Sequence, residues 1–264
     1  MKKINVILLA LTMMVSVLAQ ALELKTQTVD YGTNDKKFTG YLTQPKTINK
    51  ATPAVLIIHN WMGLTDETKK QADRFAQLGY VVFAADIYGK GQNPKDVKAA
   101  GELAGKFKKD RKLFRENLTL ALDELKKQKN VDAKQLAVAG YCFGGTGAVE
   151  LTRTGADLVG AISFHGGLDS PVPADGKNIK AKVLALHGAN DPFVPATDLA
   201  AFEDEMKNNQ VDYQLVKYGN TVHSFTEKAA GNDNSKGAAY SASSDVRSFK
   251  ATQDFLSEVF KKNK

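Results

Sequence analysis

The chain holds one cysteine, one tryptophan, four histidines and seven prolines in 264 residues, and each scarcity removes a class of protein. One cysteine excludes an intramolecular disulfide framework and any multi-cysteine zinc or iron–sulfur site. Prolines and serines gather in no stretch that would act as a linker, and no segment repeats, so nothing divides the chain into parts. The one long apolar stretch, residues 4–19, is broken by Asn5, Thr12 and Ser16 and falls short of the roughly 20 residues that cross a bilayer. Low complexity is missing too. With 43% hydrophobic and 25% charged residues, the chain has enough apolar surface for a large core, which excludes a disordered or fibrous protein.

The apolar stretch follows Lys2 and Lys3 and leads into Ala19, Gln20 and Ala21. A basic start, a short apolar run and a small-residue site mark a secretory signal peptide. Residues 1–21 are therefore expected to be removed, and residues 22–264 to form one mature domain. Export predicts a periplasmic or secreted protein with no membrane insertion after cleavage. Loss of two lysines takes the formal charge from +7 to +5. The basic excess is no nucleic-acid signal, because Lys106, Lys108, Lys109 and Lys112 share a segment with Leu113, Leu118, Leu122 and Leu125 at helical spacing. That pattern is a solvated helix face.

Residues 24–30 and 38–43 are rich in β-formers and are separated by Gly32, Asn34 and Asp35, which predicts an opening hairpin. From residue 54 the pattern changes to short continuous apolar runs at 54–59, 80–86, 135–140, 160–164, 182–187 and 213–218. Such runs are strands buried on both faces, as in a parallel sheet covered by helices. Helices are expected at 66–78, 94–129 with a break near Gly105, 144–154, 196–209 and 243–262. The sum is one doubly wound α/β domain. In such a sheet the chemistry lies beyond the carboxyl ends of the strands, so the residues after each run are the ones to inspect. The polar segment 229–244 is a loop, placed either to cover a site or simply to lie on the surface.

After the run at 135–139 comes Gly140-Tyr141-Cys142-Phe143-Gly144-Gly145, followed by a helical segment. This is a Gly-x-nucleophile-x-Gly elbow with cysteine in the nucleophile's place. The turn is sharp, so its neighbours must be small. The helix N-terminus favours a thiolate, and the backbone N–H of Phe143 faces a developing oxyanion. Partners follow an elbow in the order acid, then histidine. Asp191 stands on a turn beyond the run at 182–187, with Asp169 as its rival, and His223 is the only histidine after Asp191. His59, His165 and His187 read better as strand-end residues donating to loop backbone. They carry no helical i, i+4 pairing or adjacent carboxylate of the kind that supports a metal site. A second oxyanion donor belongs in the loop after an early strand, where Trp61 offers its backbone N–H and Asn60 stands beside the sulfur.

With these residues in view, the sequence from about residue 24 onward resembles the dienelactone hydrolase family of α/β-hydrolases. The marks are the Gly-Tyr-Cys-Phe-Gly-Gly elbow, Leu186-His187-Gly188 leading to Asp191-Pro192, His223-Ser224-Phe225, and Asp86-Ile87-Tyr88-Gly89. The resemblance implies an α/β-hydrolase fold and a Cys-Asp-His triad that cleaves esters or lactones through an acyl-enzyme, without metal or organic cofactor. Three positions depart from the best-known members. Asn60 replaces a glutamate that takes part in forming the thiolate. Lys90 and Glu227 stand where two arginines hold a substrate carboxylate. The expectation is a hydrolase of carboxyl esters or lactones, with Asn60, Lys90 and Glu227 at the substrate and a neutral acyl group preferred over an anionic one. A thioesterase or acyltransferase on the same site, or a binding protein that has lost hydrolysis, are the alternatives.

Overall fold

The computed structural model describes residues 21–260, so the expected signal peptide lies outside the described residues except for its last position. Eight strands form one sheet: β1 (Leu24–Gly32), β2 (Lys37–Pro45), β3 (Thr52–Ile58), β4 (Val81–Ala85), β5 (Val131–Tyr141), β6 (Gly160–Phe164), β7 (Lys182–Gly188) and β8 (Tyr213–Tyr218). Their order is β1-β2-β4-β3-β5-β6-β7-β8. β1 and β2 make the expected antiparallel hairpin, and β2 joins β4 antiparallel. From β4 through β8 every pairing is parallel.

Among the described residues six α-helices cover the sheet: α1 (Asp66–Ala76), α2 (Val97–Lys109), α3 (Arg111–Lys127), α4 (Phe143–Arg153), α5 (Ala196–Asn208) and α6 (Ala242–Val259). The two-residue period of a strand sends alternate side chains to opposite faces, and here both faces are apolar. Leu56, Ile58 and Phe83 meet Phe107, Phe114 and Leu118 of α2 and α3. Val55, Ile57 and Val82 meet Phe75 of α1 and Phe255 and Leu256 of α6. Val183 and Ala185 of β7 pack with Phe202 and Met206 of α5. Each such aromatic or aliphatic side chain contributes about 1.5–3 kcal/mol when fully buried.

One boundary differs from expectation. The long helical stretch breaks at Asp110, not near Gly105. Asp110 leaves helical geometry at φ −103°, ψ 79°, and its side chain accepts from Leu113 N at 2.9 Å, capping α3 as α2 ends. Gly105 sits inside α2, where glycine costs about 1 kcal/mol against alanine. That cost is too small to end a helix whose face carries Ala100, Ala104 and Phe107 into the core.

Candidate active site

All the chemistry-bearing residues singled out from sequence as triad members lie past the carboxyl ends of parallel strands. β5 passes into α4 through Cys142, whose φ of 54° and ψ of −114° belong to a region that ordinary residues avoid. The glycines around it are required by close approach. A Cβ on Gly140 would lie 1.9 Å from Gly144 O, and one on Gly144 would lie 2.3 Å from Ile58 O. Cys142 N donates to Phe164 O at 2.9 Å, and Cys142 O accepts from Gly145 N at 2.9 Å. The elbow is thus fixed between β6 and the first turn of α4. Phe143 is the first residue of that helix, a position whose N–H has no acceptor within the helix.

His223 Nε2 lies 3.0 Å from Cys142 Sγ, and His223 Nδ1 lies 2.7 Å from Asp191 Oδ2. The other Asp191 oxygen accepts from Phe193 N at 2.9 Å, and its side chain is fully buried. The structure therefore brings together cysteine, histidine and aspartate in the expected order. The rival, Asp169, is held instead by Arg111 Nη2 at 2.6 Å. Burial opposes the charged imidazole of His223, but the hydrogen bonds to Asp191 and to the Cys142 sulfur outweigh it and push the pKa up to about 10. Segment 229–244 supports this histidine from behind: His223 N donates to Gly237 O at 3.1 Å, and Ala239 N donates to His223 O at 3.0 Å. Its ring meets Phe193 at a right angle, with centroids 5.4 Å apart.

The remaining histidines are structural, though not all in the way expected. His59 is fully buried; its Nδ1 donates to Asn60 O at 2.6 Å while Nε2 accepts from Ile87 N at 3.0 Å. Burial lowers its pKa to about 4, so it is a neutral strut between the ends of β3 and β4. His165 departs from expectation because its partner is a hydroxyl, Thr226 Oγ1 at 2.8 Å, and not loop backbone. Burial and the charge of His223 hold it well below its ordinary pKa. His187 makes no hydrogen bond through Nδ1, and burial lowers its pKa as well. Among the described residues no group of histidine, cysteine and acidic side chains is arranged to hold a metal.

The loop after β3 carries Asn60 and Trp61 at the same edge of the sheet. Asn60 Oδ1 accepts from Met62 N at 2.8 Å, which fixes the turn. Tyr88 was not among the expected site residues, yet its hydroxyl donates to Trp61 O at 2.9 Å. Its ring packs on His59 and Phe143, with centroids 4.6 and 5.2 Å away. Burial, followed by the charge of Cys142, raises its pKa, so it stays a hydroxyl donor. The signal was present in Asp86-Ile87-Tyr88: Asp86 Oδ1 caps Tyr88 N at 2.9 Å and turns the chain back toward the loop after β3. Of the three positions that depart from the pattern of the resemblance, Asn60 and Glu227 sit side by side near His223. The Lys90 ammonium is engaged by Asp30 of β1 at 2.7 Å and is half exposed.

The profile of the dienelactone hydrolase family matches residues 38–260. The chain belongs to the dienelactone hydrolase family. It is 32% identical over 211 residues to "Protein usf" of Aquifex pyrophilus, covering 75% of this chain and 86% of that one. It is 30% identical over 209 residues to a "Probable 2-oxo-3-(5-oxofuran-2-ylidene)propanoate lactonase" of Bradyrhizobium, covering 75% and 83%. Among solved structures, "Dienelactone Hydrolase-like Promiscuous Phospotriesterase P91 from Metagenomic Libraries" superposes with a TM-score of 0.86 at 35% identity, over 90% of this chain and 99% of that one. As a family member with an α/β-hydrolase fold, the protein is a hydrolase of ester or lactone bonds.

Proposed function

We propose that the protein hydrolyses small carboxyl esters or lactones through an acyl-cysteine intermediate, with Cys142 as nucleophile, His223 as general acid and then base, and Asp191 orienting the imidazole. The observation that carries this reading is the continuous relay Sγ to Nε2 and Nδ1 to Oδ2 at a strained strand-to-helix turn. Asp191 and the sulfur favour the protonated imidazole up to about pH 10, which makes His223 the acceptor of the thiol proton. The thiolate attacks the carbonyl carbon, and the N–H groups of Phe143 and Trp61 receive the oxyanion. Collapse expels the alkoxide, which takes the proton from His223 Nε2. Neutral His223 then deprotonates water, hydroxide attacks the acyl-sulfur carbonyl, and the thiolate leaves with its imidazolium partner restored.

The small-molecule ester or lactone needs no nucleic acid, metal or cofactor in this scheme. The basic and apolar N-terminal sequence supports export, with cleavage after Ala21 and action in the periplasm or outside the cell. The decisive experiment compares the mature protein with Cys142→Ala on a panel of neutral and anionic esters, lactones and thioesters. Loss of all turnover in a variant with unchanged circular dichroism is expected. Full activity in that variant refutes the mechanism. Mass spectrometry of the quenched wild-type reaction should reveal the acyl adduct on the peptide containing Cys142.

A further inference from the structure

His165 is fully buried directly after β6, and its φ of 39° lies on the positive side that non-glycine residues seldom occupy. The next two residues are glycines, yet the strained position carries an imidazole. Strain of this kind persists only where the surroundings hold it, and here the loop that bears the triad histidine does so. His165 Nε2 lies 2.8 Å from Thr226 Oγ1, and its ring meets Phe225 at 80° with centroids 5.1 Å apart. The same ring meets the His223 ring at 65° and 5.2 Å. Its backbone is tied to the supports of the other two triad members. His165 N donates to Leu186 O at 2.8 Å on the strand that leads to Asp191, and the preceding Phe164 O accepts from Cys142 N at 2.9 Å.

Hydrogen bonds hold the His223 imidazole at its two nitrogens, toward Asp191 and Cys142. Such bonds lie in the ring plane and resist motion out of that plane only weakly, so ring packing must resist it. Among the described residues, the two rings that meet His223 are Phe193, which is 60% exposed, and His165, which is buried. We propose that His165 is a positioning residue: anchored by Thr226, its ring backs the His223 imidazole and keeps Nε2 aimed at the Cys142 sulfur. The proposal rests on the acyl-cysteine reading above and adds a residue to it. Burial, followed by the charge of His223, holds His165 well below its ordinary pKa, so the ring beside the imidazolium is uncharged and does not repel it.

The test compares three variants. His165→Asn keeps a residue that tolerates positive φ and removes the ring, Thr226→Val removes only the hydroxyl, and Thr226→Ser retains it. The readouts are kcat and KM for p-nitrophenyl butanoate and the rate of Cys142 alkylation by iodoacetamide at pH 6.5 and 9.5, beside circular dichroism and a urea midpoint. Small displacements of a reacting group are costly, so His165→Asn should lower kcat by about tenfold or more with KM within about twofold. Alkylation should slow severalfold at pH 6.5, with the gap closing by pH 9.5. Thr226→Val should show the same pattern at about threefold in kcat, and Thr226→Ser should restore wild-type values. A loss confined to KM or to the urea midpoint overturns the proposal. So does a folded Thr226→Val with wild-type kcat and alkylation, which decides the matter alone if His165→Asn fails to fold. If the wild type cleaves no ester, the esterase reading falls, and the alkylation comparison still decides the positioning role.

Discussion

Removing the His223 imidazole separates the two explanations of why Cys142 would be reactive. The imidazole pKa rises from 6.5 to about 10, in favour of the charged ring. Asp191 and the sulfur supply that preference against the cost of burial. The imidazolium persists through neutral pH and is lost as pH rises through about 10. The rate of Cys142 alkylation by iodoacetamide should therefore be nearly flat from pH 6 to 9 in the wild type. In His223→Ala the helix N-terminus alone remains. A thiol without assistance titrates near 8.5, so about 1% is thiolate at pH 6.5, and alkylation should be on the order of 100-fold slower there. The gap should close to a few-fold by pH 9.5. Mass-spectrometric counting of carbamidomethylated Cys142 against time gives both rate constants. Superimposable pH profiles, or equal rates at pH 6.5, refute the ion-pair argument and leave the elbow geometry as the source of any reactivity.

Two further outcomes follow from other parts of the structure. Tyr88→Phe removes one hydrogen bond to the Trp61 carbonyl without changing the ring that packs on Phe143. A net loss of about 1 kcal/mol predicts roughly a fivefold fall in kcat with KM little changed, and an unchanged kcat means that the oxyanion loop does not depend on this strut. Arg153 is fully buried, with Glu150 at 2.7 Å and Glu205 at 2.6 Å; Arg153→Leu strands Glu205, while Glu150 keeps Arg115 at 2.7 Å, and should cost about 3 kcal/mol, read as a fall in the urea midpoint with the slope retained.

What the sequence disclosed, and what it withheld, divides along the range of the interaction. The strands were legible because both faces of a central parallel strand are buried, so Ala54 through Ile58 and Val81 through Ala85 read as unbroken apolar runs. The elbow was legible because steric exclusion leaves a local mark: Gly140 and Gly144 approach backbone so closely that no side chain fits. Asp191 and His223 followed from their order along a sheet whose loops all emerge on one edge. The break at Asp110 was harder to place because glycine propensity and side-chain capping act within five residues of each other, and the hydrogen bond to Leu113 N is the stronger effect. Tyr88, Thr226 and the setting of Glu227 involve partners far apart in sequence. Tyr88 reaches Trp61, Thr226 reaches His165, and Glu227 lies beside Asn60. No spacing rule encodes such pairs. They exist because β3, β4, β6 and β8 deliver their following loops to one edge of the sheet, so the site's electrostatics are a property of the topology.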